Sequence, residues 1–211
     1  MNHLVLLGDS IFDNGVYVQP GEPDVVRQVR DKLSVDWQAT LCAVDGHRIG
    51  DIATQLQGLP AGATHLIVSV GGNDALDQAG ILNESARSVA EVLDRLAIIG
   101  EGFQASYHRM LELVLKLDLP TMVCTIYEGN MTDAYLQRVA ATALKVFNDA
   151  ILREAFAAKV PVLDLRRVCS QAEDYANPIE PSAIGGDKIA AAMVGAMTNH
   201  DFSEGCQQVY W

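Results

Sequence analysis

Residues 3–15 read HLVLLGDSIFDNG, a short apolar run that stops at Gly8 and is followed at once by Asp9 and Ser10. An unbroken apolar run of this length reads as a strand buried on both faces, which belongs in a parallel sheet covered by helices. Four more runs follow: WQATLCAV at 37–44, THLIVSVGG at 64–72, TMVCTIYEG at 121–129 and VPVLDL at 160–165. Between them lie helix-patterned stretches. Val25, Val26, Val29 and Leu33 fall on one helical face within 24–33, and residues 84–98, 103–118 and 133–158 repeat the pattern at greater length. Leu119–Pro120 and Val160–Pro161 mark helix-to-strand transitions, because proline disfavours helix in the residue before it. A last helix is expected to start near Pro181 and to run through KIAAAMVGAM at 188–197.

Alternating strands and helices predict an α/β protein: a three-layer α/β/α sandwich around a five-stranded parallel sheet. At 211 residues, 49% hydrophobic and 20% charged, the chain suits one well-buried core, so residues 1–211 are read as a single domain with 198–211 a C-terminal tail. The apolar tip of that tail is expected to dock on the body or on a second subunit, forming a homodimer. The balance of 15 Lys+Arg against 27 Asp+Glu, a net charge of −12, repels phosphate backbones and anionic lipid surfaces, so neither nucleic acid nor membrane insertion is expected. The N-terminus shows no basic region or cleavage site. Cys42, Cys124, Cys169 and Cys206 are scattered without Cys-x-x-Cys spacing, which reads as reduced thiols in a cytoplasmic protein.

In a parallel sheet the loops leaving the strands' carboxyl ends share one edge, where ligands bind. Ser10, then Asp45–His47, then Gly71–Asp74, then Tyr127, Glu128 and Asn130 follow successive strands, whereas His3 and His65 stand where strands begin. Gly-x-Gly-x-x-Gly and Gly-x-x-x-x-Gly-Lys-Ser/Thr are both missing, so dinucleotide and P-loop readings lack their phosphate cradles. Asp9, Asp13, Asn73 and Asp74 as metal ligands, with Arg48 for a phosphate, form a weaker rival reading.

Four blocks, GDSIFDNG, DGHRIGD, VGGNDAL and NPIEPSAIGGDKIA, in this order across nearly the whole chain, resemble the SGNH/GDSL hydrolase family. The resemblance implies the flavodoxin-like fold of that family and an esterase or lipase activity on a small-molecule ester, with small or short-chain acyl groups expected and no cofactor or metal. It implies Ser10 as nucleophile at the start of a helix, with Gly46 and Asn73 as oxyanion donors beside the Ser10 N–H. The duller roles are a helix N-cap for Ser10, a turn for Gly46 and an Asx cap for Asn73.

The fourth block departs from the family pattern. Asn177 stands where the resemblance implies Asp, and Glu180 where it implies the His that serves as base. In one reading Glu180 is the base and Asn177 orients it by a hydrogen bond. A carboxyl near its reference pKa of about 4.3 is a poor base at neutral pH, and burial beside Ile179 and Ile184 is expected to raise it. In a second reading His47, or His108 placed early in its helix, supplies the base, with His200 reaching the site only if the tail folds back. In a third, the pocket binds an acyl group without hydrolysing it.

Overall fold

The computed structural model describes residues 1–203 and 207–211; Cys206 lies outside them. The strands are β1 (Asn2–Gly8), β2 (Trp37–Leu41), β3 (His65–Ser69), β4 (Thr121–Cys124), β5 (Val162–Leu163) and β6 (Val209–Tyr210). The helices are α1 (Val25–Lys32), α2 (Ile52–Gln57), α3 (Gly72–Asp77), α4 (Val89–Leu115), α5 (Ala134–Ala157), α6 (Leu165–Val168) and α7 (Ala183–Asn199), with short 3₁₀ turns between some of them. The strands run in the order β2-β1-β3-β4-β5-β6, and every pairing is parallel.

The sheet therefore has six strands where five are expected. The sixth is the tail: Val209 and Tyr210 pair with Val162 and Leu163, so the tail's tip docks on its own body. Two residues are too few to show strand periodicity in sequence.

Period-2 alternation divides the core between the faces of the sheet. Leu4 and Leu6 of β1 face α1 and α7, packing with Val25, Val29, Ile189 and Met193. Val5 and Leu7 face the other way, into a cluster with Ile52 of α2, Tyr107 and Leu111 of α4, and Phe147 and Ile151 of α5. All twelve of those side chains other than Phe147 are fully buried or within 2% of it.

Side-chain caps set the helix starts. Asp24 accepts from Arg27 N, Ser88 from Glu91 N, Asp133 from Tyr135 N and Leu136 N, and Ser182 from Gly185 N. The last helix thus begins after Ser182, and Pro181 stays in the loop before it. β4 also stops short of the predicted 121–129. Asn148 of α5 takes the backbone N–H and carbonyl of Ile126, both at 2.8 Å, and draws the chain out of the ladder.

Residues 84–98 and 103–118, expected as two helices, form the single helix α4 through Gly100 and Gly102. Gly100 is a packing residue: a Cβ there would lie 2.4 Å from Cγ1 of Val146 on α5. At Gly102 nothing stands within 4 Å of that position. Gly100→Ala is expected to lower stability by about 1–2 kcal/mol, since a β-branched valine yields poorly and overpacking outweighs the gain in helix propensity. Gly102→Ala, free of the clash, is expected to raise stability by about 0.5–1 kcal/mol. Denaturant titration of both variants checks the contrast, and equal effects would show that the α4–α5 approach does not depend on Gly100.

Candidate active site

Register brings the candidate residues together. Gly8 pairs with Ser69 at the carboxyl ends of β1 and β3, so the Ser10 and Asn73 loops leave the sheet side by side. Gly8 has φ +140°, and a Cβ on it would lie 1.8 Å from the Ser69 carbonyl oxygen, so only glycine fits there. The buried side chain of Gln55 clamps the same residue, accepting from Gly8 N at 2.8 Å and donating to Gly8 O at 2.7 Å.

After β1 the chain makes one turn, with Phe12 N and Asp13 N donating to Asp9 O at 3.2 and 3.1 Å. The helix expected at Ser10 does not form; the next one is α1, from Val25. Side chains divert the chain: Asp13 accepts from Asp45 N at 2.9 Å, and Asn14 accepts from Val25 N at 2.9 Å. Any helix-dipole help for a charge at Ser10 is correspondingly reduced to that of a single turn.

The Ser10 hydroxyl donates to Glu180 Oε1 at 3.0 Å, in a buried setting and across 170 positions of sequence. The Glu180 loop is pinned from several sides. Tyr127 donates its hydroxyl to Ile179 O at 2.6 Å, Asn14 Nδ2 donates to Pro181 O at 3.2 Å, and Asn130 N donates to Pro178 O at 2.8 Å. A bridge between Tyr175 and Pro181 closes its base. Asn177 accepts from the backbone N–H groups of Ile179 and Glu180 at 2.9 and 3.0 Å. Its bond thus shapes the loop backbone, and no bond from it to the Glu180 carboxyl is found.

Glu180 is 5% exposed. Burial pushes its carboxyl up to about 7; the Ser10 hydrogen bond draws it back in part, and Asp45 adds to the rise. Its Oε2 is buried and has no hydrogen-bond partner within the protein. Ile184, expected to help bury it, is 53% exposed; Ile11, Tyr127 and Ile179 line the cavity with it instead. Asp9 accepts from Ile11 N at 3.2 Å and borders the same cavity. Burial pushes Asp9 up to about 7 as well, against the Ile11 bond and with the charges of Glu180 and Asp74 adding to the rise.

Asn73 lies on the first turn of α3 and lines the cavity with Ser10 and Glu180. Its Nδ2 donates to His47 O at 2.9 Å, tying the α3 start to the loop after β2. Gly46, in that loop, is exposed with φ +78° and is not part of the cavity wall. The ring Nδ1 of His47 meets Gln55 Nε2 at 2.9 Å.

The other histidines are placed differently from expectation. His108 is 19 residues into α4, about 29 Å from its start, and pairs with Glu154 on the surface. His200 pairs with the Tyr210 hydroxyl at 2.9 Å and stands beside Pro120 and Pro161, at the amino edge of the sheet. The acidic residues of the metal reading serve as loop braces: Asp9, Asp13 and Asp74 each accept from a backbone N–H, and Arg48 is paired with Asp77. Among the described residues no group of three or more His, Cys, Asp or Glu is arranged to hold a metal ion.

From Ser10, Asn73 and Glu180 a cavity of about 150 Å³ runs between α4 and α5. Gln55 and Asn14 are the site's unforeseen members, while Tyr127 stands at the edge where it is expected. The one signal in the sequence for Gln55 is a polar residue three positions after Ile52, on the buried face of α2; Asn14, in the polar run Asp13-Asn14-Gly15, carries none.

The chain is thus a doubly wound α/β protein with a buried hydroxyl–carboxyl pair at the carboxyl edge of its parallel sheet. Residues 6–185 match the model of the GDSL-like lipase/acylhydrolase family, and the chain belongs to that family. Among solved structures it resembles the lipase Lip_vut3 from a goat rumen metagenome, with a TM-score of 0.71 and 20% identity over 93% of this chain and 97% of that one. It resembles an extracellular lipase from Streptomyces rimosus at a TM-score of 0.66 and 17% identity, over 95% and 100% of the two chains. The acetyl xylan esterase AlAXEase matches at 0.67 and 15% identity, over 92% and 98%. No curated protein matches the sequence.

A carboxyl raised from 4.5 to about 7 has a sign for stability. Between those values the folded protein holds a proton that the unfolded chain has released, so the contribution is full below about 4.5 and is lost as pH rises through 7. Glu180→Gln removes this penalty. The variant is expected to match the wild type near pH 4 and to exceed it by up to about 3 kcal/mol at pH 8. Thermal denaturation at the two pH values checks this; parallel stability curves would contradict the raised carboxyl.

Proposed function

We propose that this protein is a serine-dependent carboxylic-ester hydrolase in which Glu180 replaces histidine as the general base. The observation that carries the reading is the 3.0 Å bond from Ser10 Oγ to a buried carboxyl raised to about 7. A base is most effective when its pKa lies near the working pH, and an ordinary glutamate misses that by more than two units.

In the acylation step the Ser10 Oγ–H proton passes to Glu180 Oε1 as Oγ bonds to the ester carbonyl carbon. The carbonyl oxygen gains the charge and is met by the Ser10 N–H and an Asn73 side-chain N–H; Gly46, outside the cavity wall, is left without the oxyanion role that the resemblance implies. Asn73 keeps its other N–H on His47 O, which orients the amide. Collapse breaks the bond to the alcohol oxygen, and Glu180 returns the proton to it. Water repeats the sequence on the acyl-enzyme, with Glu180 again taking and returning one proton. Asn177 acts by fixing the backbone at Glu180.

A net charge of −12 supports a small-molecule substrate over nucleic acid. Cys42, Cys124 and Cys169 are free thiols, which supports a reducing, cytoplasmic compartment. Among the described residues no helix is long and apolar enough to cross a membrane.

Hydrolysis of p-nitrophenyl esters against pH tests the reading. Activity is expected to rise through a midpoint near 7 to a plateau, and Ser10→Ala and Glu180→Gln should each lower kcat by at least about 10³. Activity lost in Ser10→Ala and kept in Glu180→Gln would move the base to His47. Absence of Ser10-dependent turnover would make the site a binding pocket.

A further inference from the structure

We propose that His47 is a positioning residue for the oxyanion amide: its ring, held through Gln55 to the end of β1, fixes the carbonyl that aims Asn73. The inference rests on the hydrolase reading above and deepens it.

Hydrogen-bond chemistry fixes each atom of the link. Gly8 N can only donate and Gly8 O can only accept, so the Gln55 side chain that meets them at 2.8 and 2.7 Å has to place Oε1 on the first and Nε2 on the second. Gln55 is 5% exposed, and the two backbone groups leave it one orientation. An amide Nε2 carries two hydrogens and accepts nothing. One bonds to Gly8 O, which leaves the other for His47 Nδ1 at 2.9 Å. Nδ1 is therefore the acceptor and carries no hydrogen, which puts the ring proton of neutral His47 on Nε2. Neither ring nitrogen then offers Ser10 a lone pair.

The other end of the link is Asn73. The His47 carbonyl accepts from Asn73 Nδ2 at 2.9 Å, and next to it Asp74 accepts from Ile49 N at 3.1 Å. At its start the same loop is tied to the nucleophile's side, with Val44 N donating to Gly8 O at 3.2 Å and Asp45 N to Asp13 at 2.9 Å. Past Gly46, exposed with φ +78°, the ring of His47 carries that tie onward. Gly8 stands two residues before Ser10. The chain from Gly8 through Gln55 and His47 to Asn73 thus sets the oxyanion amide relative to the strand that delivers the nucleophile.

Asparagine places an oxygen where histidine has Nδ1, one bond beyond Cγ. His47→Asn therefore keeps the acceptor for Gln55 without an imidazole, whereas His47→Phe keeps a ring without the acceptor. On p-nitrophenyl acetate, His47→Phe is expected to lower kcat about 10- to 100-fold with KM changed by less than about twofold, and His47→Asn to recover to within about threefold of the wild type. Full activity in His47→Phe would overturn the positioning role. Equal losses in the two variants would overturn it too, and losses as deep as that of Ser10→Ala would also overturn Glu180 as the base.

The tautomer can be read without any turnover. Long-range ¹H–¹⁵N correlation spectra of protein labelled with ¹⁵N-histidine, near pH 8, separate bare from protonated ring nitrogens, and His47→Asn assigns the ring by removing its signals. Nδ1 is expected bare and Nε2 protonated. Hydrogen on Nδ1 would overturn the link to Gln55. The expected tautomer without Ser10-dependent turnover would leave the link standing and overturn the hydrolase reading.

Discussion

A carboxyl that burial pushes toward its neutral form is held against a serine hydroxyl by a loop with little freedom to swing it away. The 3.0 Å contact between Ser10 and Glu180 joins the first and last parts of the chain, and the rest of the edge is arranged around it. Hydrogen bonds from Tyr127, Asn14 and Asn130 reach the backbone carbonyls of Ile179, Pro181 and Pro178, on both sides of Glu180. Pinning of this kind keeps a reactive geometry in place without reorganisation at the moment of reaction.

The same arrangement has a thermodynamic cost. Two carboxyls, on Asp9 and Glu180, border one cavity and are both pushed up to about 7, chiefly by burial. The fold sustains this because the core on both sides of the sheet is close to fully buried, from Leu4 and Leu6 on one face to Tyr107 and Ile151 on the other. A pKa shift of this size is what turns glutamate from a poor partner for a serine into a base matched to neutral pH. The protein thus meets with burial a requirement that histidine meets by its intrinsic pKa.

The first five strands were legible because each lies in a short, largely apolar run closed by glycine or a polar turn, as in LVLLG before Asp9 and Ser10. The parallel sheet followed from the alternation with helices, and its carboxyl edge holds Ser10 and Asn73; the order of the strands comes from the structure. What stayed hidden depends on partners far away in sequence. Gly100 looks like a helix breaker until Val146 is seen against it, and the sixth strand is visible only once β5 offers an edge. Asn14, Gln55 and Tyr127 act on residues 167, 47 and 52 positions away, a relation that no local pattern carries. Asn177 was legible as a bracing residue for Glu180, but the atom it binds, the backbone N–H, was not. His108 was misplaced because the split of α4 put a helix start just before it.

The chemistry of this edge turns on the ionisation of Glu180 itself. Glutamate labelled with ¹³C at its side-chain carboxyl allows that group to be titrated directly by NMR, with Glu180→Gln assigning the resonance. A single carboxyl titrating near 7, moved further up in Ser10→Ala because the hydrogen bond that favours its charged form is gone, is the result predicted. A Glu180 resonance titrating at the ordinary glutamate value, unmoved by Ser10→Ala, would contradict the account.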